Sequence, residues 1–564
     1  MPYGDKMENS SFTYHKLCEN GSLMVIVPHE DDEINLAGAL IYGARQEGIP
    51  VKCVFVTNGD WEYPAFVRIN EALRALQILG VKQEDVFFLG YPDGGTTGKR
   101  SPFLHKPEEI EKEGGHPATY GSKSHPDFAY LKYGMHHDCS WENLLSDLEH
   151  IILEYQPSLI VATDFDSHPD HRMCYLAFIE VMNQILHKNI VYRPKVFMGY
   201  CYITGFDSTA DFYDRHLLST VVNRETLRNK NYETENPTYA WEDRIRLPVL
   251  SNCKMWLRQN ILFHALCAHL SQKASRRAVR LVNGDEVFWR RRTDNLLYEG
   301  KVTASSGNSL YLHDFHMMNT KDIISDKPEM EEYLWIPEAG DTEKWCRCDF
   351  DKPCHIESVL LYGNIDGEGR ILKGELSFST GFSCKVGPLK RNGQATEVQF
   401  QPQDNVSWLK YRILDTDGRQ GGLSEWEVFS RKKEVPTFIQ ITVDGNFASD
   451  WLVFPGEEPV IGLYGDVKLE EIQWTMDGHP CPLEDIHKRL VLLDKSVKIQ
   501  ASLLKNPDVY SIVIVTPANW AERIRYYKNS SWDRLAVWWE KQMEKRPHHK
   551  LKKLRKHCLI GCRD

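Results

Sequence analysis

The sequence lacks the features expected of membrane-spanning, secreted or nucleic-acid-binding proteins. None of its apolar runs approaches the roughly 20 residues that a spanning helix requires. Residues 1–21 lack the basic and apolar regions of a secretory signal. The formal net charge of −11 disfavours broad phosphate binding, which needs a basic surface. We therefore expect a cytoplasmic protein with no transmembrane segment and no nucleic-acid partner.

Cysteine is also too sparse for a disulfide scaffold, because only 14 are spread over 564 residues and none forms a Cys-x-x-Cys pair. A chain of this length exceeds what one hydrophobic core usually supports, so several domains are expected. The hydrophobic share of 42% and the charged share of 26% are those of an ordinary globular protein.

Residues 1–284 alternate short apolar runs with helical patterns. SLMVIVP, VKCVFVT and SLIVATD are continuous apolar runs, typical of strands buried on both faces, and amphipathic helical segments follow or separate them. This rhythm predicts an α/β domain with a parallel sheet, whose sites lie at the carboxyl ends of the strands.

From residue 285 onward, short strand-like runs alternate with Gly, Asp, Asn and Pro turns. This pattern predicts β-sandwich domains rather than further α/β units. The expected boundaries are a sandwich over 285–435, an immunoglobulin-like β domain over 436–516 and a helical basic tail over 517–564.

Two polar motifs directly follow predicted strands, Pro28-His29-Glu30-Asp31-Asp32-Glu33 after the first and His168-Pro169-Asp170-His171 after VATDFDS. Zinc prefers imidazole nitrogen and carboxylate oxygen, and a catalytic zinc leaves one position open for water. His29, Asp32 and His171 would supply a two-histidine, one-carboxylate set. The alternative is that the acidic run is only a solvated helix start, where Asp and Glu are favoured.

The two motifs resemble those of the PIG-L, or LmbE-like, zinc N-deacetylases, which carry His-Pro-Asp-Asp-Glu and His-Pro-Asp-His on a Rossmann-like fold. Further matches extend the resemblance over residues 20–284: Thr57-Asn58-Gly59-Asp60, Arg68-x-x-Glu71-Ala72, Leu89-Gly90-Tyr91-Pro92-Asp93-Gly94 and His269-x-Ser271-Gln272.

The resemblance implies a role for each motif residue. His29, Asp32 and His171 would bind one Zn²⁺, and Asp31 would be the general base that deprotonates the attacking water. His168, oriented by Asp170, would be the protonated partner that stabilises the oxyanion or protonates the leaving amine.

Arg68 and Asp93 match positions that contact substrate or organise the family's active site. Their simpler interpretations are a surface salt bridge and a turn aspartate. Glu30 is a departure, because the family has proline there. The loss of this proline is expected to loosen the turn, and the carboxylate of Glu30 is expected to face the cleft.

A second His-Pro-Asp occurs at residues 125–127, followed by Phe128 instead of His. It lies in a polar insertion that is interpreted as a substrate-covering loop, with a second metal site as the alternative. Tyr120 and Tyr130 in this loop can stack on a sugar or simply pack the loop down.

Residues 285–435 resemble a discoidin-like (F5/8 type C) domain, through Trp345 before Asp349-Phe350 and through Gly422-Leu423-Ser424-Glu425. Such domains commonly bind glycans, although a purely structural module is the alternative. In the tail, residues 541–564 hold nine Lys and Arg against two acidic residues. The tail can contact an anionic membrane, but tryptophans packed on a neighbouring domain are the favoured interpretation.

Together these features predict a zinc-dependent hydrolase that removes an N-acetyl group from an amino-sugar-containing glycoconjugate and carries a glycan-binding module. One alternative is a zinc amidase acting on a different amide. The other is a non-catalytic glycan-binding protein with a vestigial metal site, which the intact Asp31 and His168 disfavour.

Overall fold

The computed structural model describes residues 10–165, 168–189, 191–201, 206–208, 215–222, 244–249, 259–274, 282–317, 333–363, 369–390, 394–432 and 437–544. The helices are α1 (Tyr14–Leu17), α2 (Asp32–Gln46), α3 (Ala65–Ile78), α4 (Pro107–Lys112), α5 (Phe128–Tyr133), α6 (Trp141–Tyr155), α7 (Pro169–Lys188), α8 (Ile261–Ala268), α9 (Leu483–Leu490) and α10 (Trp520–Glu544). None of the helices in these ranges is both long and apolar enough to cross a bilayer.

The first part of the chain is built around one seven-stranded sheet with the order β3-β2-β1-β4-β5-β9-β8. The strands up to residue 291 are β1 (Leu23–Val27), β2 (Val51–Thr57), β3 (Val86–Tyr91), β4 (Leu159–Thr163), β5 (Lys195–Gly199), β6 (Phe206–Ser208), β7 (Thr220–Val222), β8 (Arg244–Pro248) and β9 (Asp285–Arg291). Strands β1 to β5 pair in parallel, which confirms the predicted parallel α/β domain.

Strand β1 shows why this sheet is covered on both faces. Leu23, Val25 and Val27 belong to one hydrophobic cluster, together with side chains of α2, α3 and α8. Met24 and Ile26 belong to a second cluster, together with side chains of α6 and α7. Successive strand residues point to opposite faces, so a strand buried on both faces must be apolar at every position.

Helix α2, which begins in the first motif, is interrupted one turn later. Ala37 has φ −147° and ψ 27°, outside the helical region. The carboxylate of Glu286 on β9 accepts hydrogen bonds from the backbone N–H groups of Ala39 (2.6 Å) and Leu40 (2.8 Å). The resumed helix therefore has a capping carboxylate supplied from a distant strand.

Strand β9 differs from the sequence-based expectation. The sequence pattern places residues 285–291 in the second domain, but β9 pairs antiparallel with β5 and β8 in the first sheet. The turn-rich pattern begins only after this strand.

The next sheets contain β10 (Gly300–Ala304), β11 (Trp345–Ile356), β12 (Ser358–Gly363), β13 (Ile371–Phe378), β14 (Ser383–Val386), β15 (Thr396–Glu397), β16 (Gln403–Thr416) and β17 (Leu423–Phe429). They form an antiparallel five-stranded sheet, β10-β11-β16-β13-β14, and a three-stranded sheet, β15-β12-β17. Side chains from both sheets, including Leu376 and Trp426, share one hydrophobic cluster.

The last strands are β18 (Gln440–Val443), β19 (Asn446–Phe447), β20 (Asp450–Val453), β21 (Ile461–Tyr464), β22 (Ile472–Met476), β23 (His479–Pro480), β24 (Val497–Leu503) and β25 (Asn506–Pro517). They form a three-stranded sheet, β19-β18-β21, and a five-stranded sheet, β20-β25-β24-β22-β23. Strands β20 and β25 pair in parallel, and the other pairs are antiparallel. Helix α10 follows β25 directly.

Candidate metal centre and active site

The two polar motifs meet at one edge of the first sheet. The first motif occupies the turn between β1 and α2, and the second precedes and begins α7, just after β4. Because β1 and β4 are adjacent parallel strands, their carboxyl ends lie side by side. The acidic run is not a solvated helix start, since Glu30, Asp31, Asp32 and Glu33 are all at most 4% exposed.

The three expected metal ligands present one atom each to a common point. Asp32 Oδ2 lies 3.1 Å from His29 Nδ1 and 3.2 Å from His171 Nε2, and the two histidine nitrogens are 3.3 Å apart. Ligand atoms at 2.0–2.1 Å from a tetrahedral zinc are separated by about 3.3 Å. The donor types and their spacing therefore fit one zinc ion.

The pKa values of Asp32 and His29 are set by burial and by oppositely charged neighbours. Burial alone would raise the pKa of Asp32, but the neighbouring His171 and His29 bring it well below its usual value. Burial would likewise lower the pKa of His29, but Asp93, Asp170 and Asp32 raise it well above the usual value. A buried carboxylate that stays ionised between two imidazoles is suited to hold a cation.

The carboxylate of Asp170 lies closer to His29 than to His168, the residue that the resemblance implied it would orient. Its Oδ2 is 3.0 Å from His29 Nε2, compared with 4.0 Å from His168 Nδ1. The same oxygen accepts a hydrogen bond from Gly94 N at 3.0 Å, and Asp93 Oδ2 lies 3.9 Å from His29 Nε2. Asp170 can therefore fix the ring and tautomer of a metal-binding histidine, as carboxylates behind such histidines commonly do.

His168 lies beside the trio, with its ring centroid 4.8 Å from that of His29 and 5.0 Å from that of His171. Burial, followed by the charges of His29 and His171, lowers its pKa to about 2. The ring is thus neutral in the ion-free protein. Its Nδ1 accepts the backbone N–H of Asp170 at 3.3 Å, which assigns the proton to Nε2.

Asp31, the expected general base, has an unusual backbone conformation, with φ 125° and ψ −20°. An L-residue at this φ is strained, and such strain persists where the surroundings enforce it, often at active sites. Glu33 Oε2 accepts the Asp31 N–H at 2.9 Å, and Arg68 Nη2 lies 3.5 Å from Asp31 Oδ1. The turn therefore holds Asp31 next to both the trio and a cation.

Glu30 occupies the family's proline position as a fully buried carboxylate. Its Oε2 lies 3.7 Å from Arg68 Nε, and an Arg68 Nη2–H donates to the Glu30 carbonyl. Burial, opposed by Arg68, raises the pKa of Glu30 to about 8. A Cβ on Gly59, which has φ +55°, would lie 2.5 Å from Glu30 Oε2, so the carboxylate fits only against glycine. Arg68 is 4% exposed, so its ion pair is buried and not at the surface.

Asp93 organises a turn as well as facing His29. Its Oδ1 accepts the Gly95 N–H at 2.7 Å, and its own N–H donates to Asp60 Oδ1 at 2.8 Å. Asp60 Oδ2 also accepts the hydroxyl of Tyr120 at 2.5 Å. Asp93 therefore does both: one carboxylate oxygen stabilises the turn, and the other lies 3.9 Å from Nε2 of the expected metal ligand His29.

The second His-Pro-Asp motif shapes its loop. Asp127 is buried and accepts hydrogen bonds from Thr119 Oγ1, the backbone N–H of Tyr130 and the ring of His136, the last at 2.6 Å. Within the described ranges, the side-chain groups able to hold a metal all surround His29, Asp32 or His171. Tyr130 stacks on His136 at 4.9 Å and remains 47% exposed.

Two features of the site were not given a role from the sequence. His269 Nε2 lies 2.8 Å from Glu33 Oε1, although the residues are 236 positions apart. Cys201, just after β5, lies close enough to Asp32 and His171 to join them around an ion, and its Sγ is 3.1 Å from Thr163 Oγ1. The sequence could have indicated Cys201 as a site residue, because it follows the carboxyl end of β5, the parallel neighbour of β4.

Two family models match parts of the chain. Residues 24–182 match the family model described as GlcNAc-PI de-N-acetylase (PIG-L), so the chain contains a PIG-L domain. Residues 295–429 match a domain of unknown function (DUF7402). No curated protein matches the chain.

Solved structures with detectable similarity include deacetylases and a lectin domain. N,N'-diacetylchitobiose deacetylase from Pyrococcus horikoshii is 17% identical, with 50% of this chain and 88% of that chain covered and a TM-score of 0.25. A deacetylase of teicoplanin biosynthesis is 18% identical over 48% of this chain and 99% of that chain, with a TM-score of 0.24. The lectin domain of lectinolysin, complexed with Lewis B antigen, is 18% identical over 25% of this chain and 99% of that chain, with a TM-score of 0.20.

Proposed function

We propose, from the PIG-L domain at residues 24–182, that the protein is a zinc-dependent N-deacetylase acting on an N-acetylated amino sugar. The observation that carries the proposal is the trio of His29 Nδ1, Asp32 Oδ2 and His171 Nε2, whose mutual distances of 3.1–3.3 Å suit one tetrahedral ion. When bound there, zinc supplies polarisation of the acyl carbonyl and a lower pKa for water.

Asp31 is assigned the role of general base. It is 4% exposed, lies one residue from the ligand Asp32 and is fixed by the bond from its N–H to Glu33. A carboxylate held in this way removes a proton from the attacking water and can return it to the leaving amine. Arg68, whose Nη2 lies 3.5 Å from Asp31 Oδ1, orients the carboxylate and is proposed to contact the sugar.

His168 is assigned to the opposite side of the scissile amide. Its Nδ1 is occupied by the Asp170 N–H, so Nε2–H is the group available to donate to the developing oxyanion. Asp170 acts through His29, because its Oδ2 lies 3.0 Å from that ring. Asp93 is proposed to position both the glycine turn and the substrate entrance.

Hydrolysis of N-acetylated amino sugars by the full chain tests this assignment. We expect acetate release from at least one member of a panel of N-acetylglucosamine derivatives, with about one zinc bound per chain, and loss of release in Asp31→Asn. Stoichiometric zinc without acetate release from any sugar would overturn the deacetylase assignment. Release of another acid from a non-sugar amide would instead support the amidase alternative.

We also propose that the sheets of residues 300–429 form a discoidin-like sandwich that binds a glycan. The shared hydrophobic cluster of the five-stranded and three-stranded sheets supports the sandwich. A glycan array with the full-length Asp31→Asn variant, which binds without turnover, should give a defined set of glycans. A blank array would favour the structural alternative, in which this module only supports the enzyme.

A reducing, cytoplasmic location is proposed on the state of the cysteines. The eleven cysteines of the described ranges are all free thiols, and most are buried. Buried unpaired thiols are expected where glutathione keeps cysteine reduced.

A further inference from the structure

Helix α10 exposes apolar side chains along one face. Trp520, Ile524, Tyr527, Trp532 and Leu535 are between 43% and 74% exposed, and Trp538 is 54% exposed. At 100° per residue, all of them except Trp532 fall within an arc of about 80°, and Trp532 lies about 60° outside it, beyond Lys528. For Trp532 and Trp538 this exposure differs from the expectation that the tail tryptophans pack on a neighbouring domain, while the side chain of Trp539 lies outside the described residues.

The opposite side of the helix holds it against the last β domain. Tyr526 makes an edge contact with Phe454 at 5.5 Å, Tyr527 at the edge of the stripe contacts the same ring at 5.9 Å, and Ser530 is 7% exposed. Arg215 lies over the ring of Phe454 at 3.8 Å and pairs with Glu457 at the same place. The exposed stripe is therefore presented outward by a helix whose other side is anchored.

Cationic residues flank the stripe. Arg525 and Lys528 are exposed on one side of it and Arg523 is half-buried on the other, while Glu522 lies on the far side and accepts the Asn519 N–H at 2.9 Å. The sequence then continues into residues 541–564, with nine Lys and Arg against two acidic residues. The rest of the chain is acidic, because the overall net charge is −11.

We propose that α10 docks the protein on an anionic phospholipid bilayer. Tryptophan and tyrosine favour the interfacial region, and an apolar stripe with cationic borders lies in the membrane plane with the stripe among the acyl chains. Charged residues within α10 prevent it from crossing the bilayer, so it lies on the surface. The apolar stripe supplies hydrophobic binding to the bilayer, and the flanking cations add attraction to anionic lipids.

A lipid surface fits better than a second copy of the chain. Two α10 helices paired through the stripe would bring the flanking Arg525 and Lys528 of both copies together, which like-charge repulsion opposes. Anionic headgroups instead attract the cations beside the stripe.

The test is co-sedimentation of the full-length protein with phosphatidylcholine vesicles, with or without phosphatidylserine. We expect binding to the vesicles that contain phosphatidylserine, weakened by salt, and little binding to pure phosphatidylcholine. Replacing Trp520, Ile524 and Trp532 by serine should reduce the bound fraction at least about tenfold, as should the Arg525→Glu, Lys528→Glu variant.

A matched control replaces three other exposed apolar residues of the same domain, Val460, Leu469 and Leu492, by serine. It should bind vesicles like the parent protein. None of these changes touches the metal centre, so acetate release from a soluble substrate should be unchanged in all three variants.

Three outcomes would overturn the proposal. Equal binding by the serine variant and its control would remove α10 as the docking surface. Failure of the parent to bind, with light scattering showing a dimer that the serine variant dissociates, would identify a second copy as the occupant. Failure to bind until residues 545–564 are deleted would identify that segment as the cover of the stripe.

Discussion

The ring of His269 lies 2.8 Å from the carboxylate of Glu33, and that carboxylate also accepts the backbone N–H of Asp31. Burial alone would lower the pKa of His269, but Glu33 raises it. The end of α8 therefore holds the strained turn that carries the proposed general base.

His269→Phe should weaken this support. We expect kcat to fall by about tenfold and stability by about 1–3 kcal/mol, because one buried acceptor of Glu33 loses its partner. Zinc content should stay near one per chain, since no ligand is changed. His264→Phe, a solvent-exposed histidine of the same helix, is the control, and an equal loss in that variant would contradict a specific role for His269.

Asp170→Asn should weaken metal binding without abolishing it. An amide still reaches His29 Nε2, but the negative charge behind the ring is lost, and changes of this kind cost about 10–100-fold in metal affinity. Competition with a chelator measures the effect, with His171→Ala as the variant that loses a direct ligand. Unchanged zinc affinity in Asp170→Asn would show that the carboxylate does not act through His29.

Asp31→Asn should retain zinc and lose turnover. Proton transfer by a placed side chain contributes about 10²–10⁴-fold, so kcat should fall within that range while substrate still binds. Zinc content and kcat are measured on the same preparation. A variant that keeps full activity would move the general-base role to another group.

Arg68→Met should destabilise the fold by about 1–3 kcal/mol, because the buried Glu30 carbonyl loses the donor that Arg68 supplies and Asp31 loses its nearby cation. Adding Glu30→Met removes a buried polar side chain that Arg68 no longer contacts and should recover part of the loss. Urea unfolding of both single variants and the double variant gives the coupling energy. Simple additivity would mean that the two side chains do not interact.

Acidification should destabilise the packing around His316, which is 2% exposed and stacks on Tyr333 at 3.8 Å. Burial lowers the pKa of His316 to about 3, whereas an unfolded histidine has a pKa of about 6.5. Below pH 6.5 the unfolded chain takes up a proton that the folded protein does not, so stability is lost as the pH falls towards 3. At pH 5 the loss from this group is about 2 kcal/mol.

His316→Phe keeps the stacked ring and removes the titration. The decrease in Tm between about pH 7 and about pH 5 should therefore be smaller in this variant than in the parent. His479→Phe, a change at an exposed position, should leave the parent's pH dependence intact. Identical pH profiles for the His316 variant and the parent would place the acid sensitivity elsewhere.

The sequence could predict the parallel sheet and the meeting of the two motifs, because both are local patterns joined by a general rule. Continuous apolar runs identified β1 and β4, and parallel strands bring their carboxyl ends to one edge. The sequence could not predict which histidine the carboxylate of Asp170 contacts. Asp170 Oδ2 lies 3.0 Å from His29 Nε2 and 4.0 Å from His168 Nδ1, and this difference depends only on how the side chains are placed.

Contacts between distant segments were beyond the reach of sequence periodicity. The Glu33–His269 contact depends on where α8 docks, and the place of β9 depends on which sheet offers a free edge. The exposure of Trp520 and Trp532 depends on which side of α10 meets the last β domain. Helical spacing alone does not distinguish these two sides.

Strand β9 follows the domain boundary expected from the sequence at residue 284, yet it belongs to the first sheet. It closes the edge of β5, and its Glu286 caps the resumed part of the helix whose first turn carries Asp32. A fragment that ends at residue 284 would keep every proposed catalytic side chain, yet it would have an open sheet edge prone to pairing with other chains. The folding unit that carries the metal centre therefore extends to residue 291. A fragment intended to fold on its own should include residues 285–291.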